Sequence, residues 1–131
     1  MAKSRVAGLF LLGRIMPIDL DAYFSELYGR LNQGVTPVHR ASKLDGDGLG
    51  ERCHDRADAW CERHSGFTPV RGWVIDYTDG PRVHYVCHSV VRDDQGTLFE
   101  ITLPWAQPFW PHQGSDDLWA DIPHHDRWWP A

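Results

Sequence analysis

Apolar positions in the first third of the chain recur at three- and four-residue steps. Between Ile18 and Asn32, the residues Leu20, Phe24, Leu27, Tyr28 and Leu31 fall on one side of a 3.6-residue spiral, with Pro17 ahead of the run and Gly34 behind it. This spacing predicts an amphipathic helix over about residues 18–32. A second helix is expected from about Glu51 to His64, closed by Ser65 and Gly66. On it Cys53, Ala57, Trp60, Cys61 and His64 share one face, while Glu51, Arg52, Asp55, Arg56, Asp58, Glu62 and Arg63 cover most of the rest. Cys53 then lies in the first turn. Downstream the period changes. Pro69–Tyr77, Arg82–Arg92 and Thr97–Leu103 are rich in β-branched and aromatic residues and are separated by Thr78–Pro81 and Asp93–Gly96, which predicts three strands in an antiparallel meander.

The intervening segments carry less pattern. Residues 33–50 are polar and glycine-rich and read as a long loop. From Pro104 onward, prolines alternate with Trp105, Phe109, Trp110, Trp119, Trp128 and Trp129, and only Ser115–Ala120 offers a capped helical turn. The expected use of these rings is to pack over the sheet and fill the core, with Trp128 and Trp129 the pair most exposed. The fold class is therefore α+β: one domain over residues 1–131, in which the cysteine-bearing helix packs on a small antiparallel sheet and the segment 104–131 is irregular.

Size and charge narrow the picture. A chain of 131 residues matches one ordinary domain with a single core. Thirteen basic against 18 acidic side chains, for a net charge of -5, give no basic footprint for nucleic acid. No stretch approaches the ~20 apolar residues needed to cross a membrane. The run Val6–Leu12 after Lys3 and Arg5 lacks the small-residue cleavage pattern of a signal peptide. Cys53, Cys61 and Cys87 form an odd set, which argues against a disulfide framework and for a reducing cytoplasm.

The candidate chemistry centres on Cys53. A thiol at the start of a helix loses its proton more readily, because unpaired backbone N–H groups and the helix dipole favour the thiolate. Such a nucleophile needs a histidine within reach and a third group to orient it. His88, in the middle of the second strand, and Glu100, on the third, are the candidates. An odd number of residues in their connection puts both side chains on one face, directly opposite for a three-residue loop Asp93–Gln95. A four-residue loop sends them to opposite faces, and the turn sequence leaves both open. A hydrogen-bonded core histidine is the competing reading of His88, and a solvated strand residue that of Glu100. Cys61 and Cys87 read as core or subsurface residues.

Taken together, Cys53–His54, Trp60, Arg71–Gly72–Trp73, His88–Ser89–Val90–Val91, Gly96 and Glu100–Ile101–Thr102 resemble a group of small bacterial proteins with a Cys–His–acid arrangement. More distantly the pattern is similar to papain-like N-terminal glutamine amidases and protein deamidases. The resemblance covers about residues 50–115. It implies a papain-like core and a thiol hydrolase in which Cys53 is the nucleophile, His88 the base and Glu100 the residue that orients His88. The substrate class would be an amide-bearing small molecule, peptide or protein, touched by Trp73 and His112, with no cofactor and no metal. The chain departs from that pattern in having Glu100 where Asp is more usual, and in lacking a Gln shortly before Cys53. The expected oxyanion donors are therefore the Cys53 backbone N–H and a second from the loop Asp45–Gly50.

Two other readings belong beside this one. A non-catalytic interaction module could use the same scaffold. A zinc site is suggested by Cys53, His54, Cys61 and His64, but residues 53 and 61 of one helix stand ~12 Å apart, too far for one metal. His124 and His125 read as surface loop residues.

Overall fold

The computed structural model describes residues 18–40, 52–122 and 126–131. The N-terminal segment 1–17, the loop Asp45–Gly50 and the pair His124–His125 lie outside them. The architecture is α+β. In chain order it runs α1 (Leu20–Tyr28), a single 3₁₀ turn (Leu31–Gln33), β1 (Val38–His39), α2 (Cys53–Arg63), β2 (Thr68–Asp79), β3 (Arg82–Arg92), β4 (Leu98–Glu100), β5 (Trp110–Pro111), α3 (Asp116–Asp121) and β6 (Arg127–Trp129).

The helices start and stop for local reasons. Asp19 caps α1 by accepting from the Ala22 N–H at 3.0 Å, and the helix stops at Gly29 rather than running to residue 32. Ser115 caps α3 in the same way. By contrast, Arg52 at the head of α2 makes no side-chain cap, so the first N–H groups of that helix are left for other partners. Arg56, expected on the solvated face of α2, is fully buried.

The sheet is mixed rather than purely antiparallel. β2, β3 and β4 form the expected meander. β1, from a segment read as loop, adds in parallel to β4. The tail supplies β5, antiparallel to β2, and β6, antiparallel to β3. Trp128 and Trp129 are thus half-buried in a strand instead of exposed. Apolar tail residues complete a core that the three central strands leave open on both sides.

β3 organises the molecule. Its N-terminal end pairs with β6 at Val83–Tyr85, and its C-terminal end pairs with β4 at Val91–Arg92, both on one edge. The stretch Val86–Val90 between them has no ladder partner on that edge among the described residues. Alternation along β3 divides its side chains. Val83, Tyr85, Cys87, Ser89 and Val91 face the helices, where Phe24 and Leu27 of α1 pack with Trp73, Tyr85, Trp110, Trp119 and Ile122, and Ala57 and Trp60 of α2 pack with Val91 and Ile101. Val86, His88 and Val90 face the other way, towards Val70, Val74, Leu98 and Phe109.

A polar thread crosses the aromatic layer. The Trp73 indole N–H donates to Tyr23 Oη at 2.9 Å, the Tyr23 hydroxyl meets His112 Nδ1 at 2.8 Å, and His112 Nε2 meets the Ser115 carbonyl at 3.1 Å. A carbonyl only accepts, so Nε2 carries the proton and Nδ1 of the neutral ring accepts from Tyr23. All the donors run in one direction.

Gly72, paired with His88 across β2 and β3, lets the tail lie close to the sheet. A Cβ there would stand 2.3 Å from the Trp110 carbonyl oxygen and 2.6 Å from Phe109 Cζ. Gly72→Ala is expected to push β5 away at a cost of about 1–3 kcal/mol. Gly29→Ala, whose methyl would meet only helix carbonyls at 3.4 and 3.5 Å, should change stability by less than about 0.5 kcal/mol. Thermal unfolding of the two variants checks the contrast.

Candidate active site

Cys53, His88 and Glu100 converge at the unpaired stretch of β3. Cys53 is half-buried in the first turn of α2. His88 is buried, and its Nε2 lies 2.7 Å from Glu100 Oε1. The second carboxylate oxygen, Oε2, accepts the Thr102 and Leu103 N–H groups, both at 3.1 Å. Glu100 is 1% exposed, and its two oxygens accept three hydrogen bonds, one from the ring it orients and two from the bend that follows β4.

The hairpin explains how the two side chains meet. Val91 pairs with Phe99 and Arg92 with Leu98, and Asp93 N–H donates to the Thr97 carbonyl at 3.0 Å. The tight loop is Asp94–Gly96, one residue later than Asp93–Gln95. Gly96 supplies the positive φ of 86° that closes it. The odd count keeps His88 and Glu100 on one face, and the one-residue displacement makes them diagonal neighbours instead of directly opposite. Glutamate spans that diagonal where a shorter aspartate would fall short. Phe109 packs edge-on to the His88 ring at 6.2 Å between centroids and shields it from that side.

With Nε2 committed to Glu100, only Nδ1 of His88 remains for the sulfur. Burial disfavours the Cys53 thiolate, but hydrogen bonds from His54 and His88, together with their charge, outweigh it and bring the thiol from 9 down to about 6. For His88, burial works against the cation. Hydrogen bonds to Cys53 and Glu100 and their negative charge reverse that and lift the ring to about 9. At neutral pH the pair is a thiolate and an imidazolium.

His54 is the residue that the sequence reading passed over, having weighed it only as a zinc ligand. Its Nδ1 is hydrogen-bonded to Ser89 Oγ. Arg71 Nη1 also donates to Ser89 Oγ, at 3.1 Å, while Arg71 Nη2 meets both oxygens of Asp58 at 3.0 Å. Asp58 is one turn beyond His54 on α2, and Arg71 pairs with Ser89 across β2 and β3. The i, i+4 spacing and the cross-strand pair were the available signals. Hydrogen bonds to Cys53 and Cys87 raise the His54 ring to about 9, against the opposing effect of burial.

The other candidates are elsewhere. Trp73 has no exposed surface and belongs to the core, so contact with a substrate is excluded for it. His112 is half-buried at the end of the polar thread and is linked to the site through Trp119, whose ring centroid is 5.1 Å from His112 and 6.1 Å from His54. His64 stacks on Trp60 at 3.8 Å and bonds its carbonyl, at the opposite end of α2 from Cys53. Among the described residues no helix is long and apolar enough to cross a membrane, and no group of three or more His, Cys, Asp or Glu is arranged to hold a metal ion.

Comparison of the chain with family models, curated proteins and solved structures finds no match to any of them.

Two outcomes follow from this geometry. Alkylation of Cys53 by iodoacetamide should rise with pH around 6 and level off, and His88→Ala should move that midpoint up towards 9; mass spectrometry resolved at Cys53 reads both. Glu100→Ala leaves a buried imidazole without its partner and should cost about 3–5 kcal/mol in urea unfolding. Glu100→Gln, which keeps an acceptor for Nε2, should cost clearly less.

Proposed function

We propose that the protein is a thiol hydrolase that cleaves amides through a cysteine thioester, on an α+β scaffold of papain-like type. The observation that carries this reading is a half-buried thiol at an uncapped helix start, within hydrogen-bonding reach of an imidazole whose far nitrogen is fixed by a buried carboxylate. Nucleophile, acid–base group and orienting group are thereby joined in one chain of contacts.

The steps follow from the charges. The Cys53 thiolate attacks the amide carbonyl carbon, forming the C–S bond as the carbonyl π pair moves onto oxygen. The Cys53 backbone N–H, at the uncapped head of α2, is the donor assigned to that oxygen. As the oxyanion collapses, the C–N bond breaks and His88 delivers its Nδ1 proton to the leaving nitrogen. Neutral His88 then removes a proton from water as it adds to the thioester. Expulsion of the sulfur releases the carboxylic acid and restores the thiolate and imidazolium. For a primary amide the net change is hydrolysis to carboxylate and ammonium. Glu100 stays ionised throughout and holds the ring in register.

Primary amides are the first substrates to examine, as glutamine and asparagine side chains in peptides and as free amides, with ammonia release as the readout. Cys53→Ala should abolish turnover, and His88→Ala should lower it by about 10²–10⁴-fold. The pH–rate profile should be bell-shaped. Below about 6 the nucleophile is protonated and turnover falls; above about 9 His88 has lost the proton the leaving group needs, and it falls again. These limbs belong to the coupled pair rather than to either residue alone. Undiminished turnover by Cys53→Ala would end the proposal.

A further inference from the structure

On the sheet face turned away from the helices, the chain encloses a groove of about 370 Å³. Its walls come from four segments: Val35 and Val38 in and before β1, Val70 of β2, Leu98 of β4 and Pro111 of β5. Val70 and Leu98 in turn pack against the buried Val90 and Phe109. Each wall is tied to the sheet. Val35 and Phe109 exchange backbone hydrogen bonds at 2.9 and 2.8 Å, β1 pairs with β4 and β5 with β2.

Two features point to a ligand. Val35 is 49% exposed and Val38 52%, and only Tyr77 and Trp105 stand out in the same way among the large hydrophobic side chains of the described residues. Exposed apolar residues scattered singly are ordinary, but two that converge on one concavity with Val70, Leu98 and Pro111 make a surface that gains by being covered. The second feature is Arg92, the one charged residue among the described residues of the lining. It lies two positions beyond Val90 on β3, so its stem leaves the strand on the groove side. Its exposed guanidinium makes no ion pair or side-chain hydrogen bond among the described residues. The neighbouring acid, Asp93, is turned into the hairpin loop, where Oδ1 accepts the Gln95 and Thr97 N–H groups at 3.0 and 2.9 Å. Thr36 and Thr97 add the only hydroxyl side chains to the described lining.

We propose that this groove is a binding site for a small monocarboxylate with an apolar body, the carboxylate paired with Arg92 and the hydrocarbon laid against Val35, Val38, Val70, Leu98 and Pro111. A planar guanidinium matches a carboxylate through two parallel N–H···O bonds. One cation balances one negative charge, so a doubly charged phosphate finds no second partner here. The apolar walls give nothing to a small, fully hydrated anion. The volume falls at the lower end of the roughly 300–1,000 Å³ of small-molecule sites, which suits a free acid. Cys53, His88 and Glu100 are not in the lining, and Phe109 packs between His88 and the residues that wall the groove. The site therefore stands apart from the thiol-hydrolase reading and does not depend on it.

Octanoate is the probe, titrated below its micelle concentration into the full-length protein by isothermal calorimetry, with circular dichroism to establish that each variant is folded. The wild-type protein should bind octanoate, and 1-octanol and acetate should each bind at least about tenfold more weakly, the first lacking the charge and the second the apolar body. Arg92→Gln should lower the octanoate affinity about tenfold or more. Val38→Asp, which sets a like charge at the rim, should weaken it as well. Prior alkylation of Cys53 by iodoacetamide should leave it unchanged. Failure of the wild-type protein to bind octanoate overturns the proposal, and so does a folded Arg92→Gln variant with wild-type affinity. Binding confined to a hydrophobic peptide with a free C-terminus also overturns it, in favour of a chain end as the occupant. Loss of octanoate binding on alkylation would place the acid at Cys53 instead and end the groove proposal while leaving the amidase reading intact.

Discussion

The bond between His88 Nε2 and Glu100 Oε1 is the contact on which the rest of the arrangement depends. Both side chains are almost fully buried, and neither is tolerable there alone, since an unpaired charge or imidazole in a dry site costs several kcal/mol. The pair ties together the register of β3 and β4, the bend after Glu100 and the orientation of the ring. Because Oε2 accepts two backbone N–H groups from that bend, the carboxylate is part of the backbone structure as much as of the site. One nitrogen of His88 is thereby spent on architecture, and the other is released for chemistry.

The second condition is the split edge of β3. A strand continuously paired along that side would bar a helix terminus from reaching His88, whose side chain points away from the helices. Two short strands, β4 and β6, take the ends of the edge, and among the described residues no strand takes the middle. That gap leaves room beside His88 for Cys53 at the head of α2. Gly72 and Phe109 serve the same end by letting the tail cover His88 from below.

Much of this was legible in the sequence. The periodic runs located α1, α2 and the meander, and the position of Cys53 at a helix start, with His88 and Glu100 on adjacent strands, followed from short-range pattern. The parity of the β3–β4 connection was readable; its one-residue displacement was not, because the three-residue loop Asp94–Gly96 closed by Gly96 competes with an equally acceptable three-residue loop Asp93–Gln95. β1, β5 and β6 are two- and three-residue strands whose existence is decided by what they pair with, and nothing in Val38–His39 or Trp110–Pro111 declares it. Arg56 looked like a surface charge because helical period alone cannot see burial supplied by other segments. Trp73 looked available because its neighbours resembled a site, whereas bulk and tertiary packing draw it into the core. His54 was hidden by its adjacency to Cys53: its contact with Ser89 depends on how α2 packs on the sheet.

The thread from Trp73 through Tyr23 and His112 to Ser115 has a sense of direction, and that has a consequence for the aromatic layer as a whole. Each hydroxyl or ring N–H in it can point only one way because its neighbour already does, so the members share one proton inventory. Placing a proton on His112 Nδ1 would require the Tyr23 hydroxyl to turn round and would set it against the Trp73 indole N–H, two donors facing each other. Burial holds His112 below its ordinary pKa, which keeps the inventory in its single consistent state. Tyr23, Trp73, His112 and the turn at Ser115 therefore respond to acid as one body, and the docking of α3 onto the core is recorded in the direction of a single row of hydrogens.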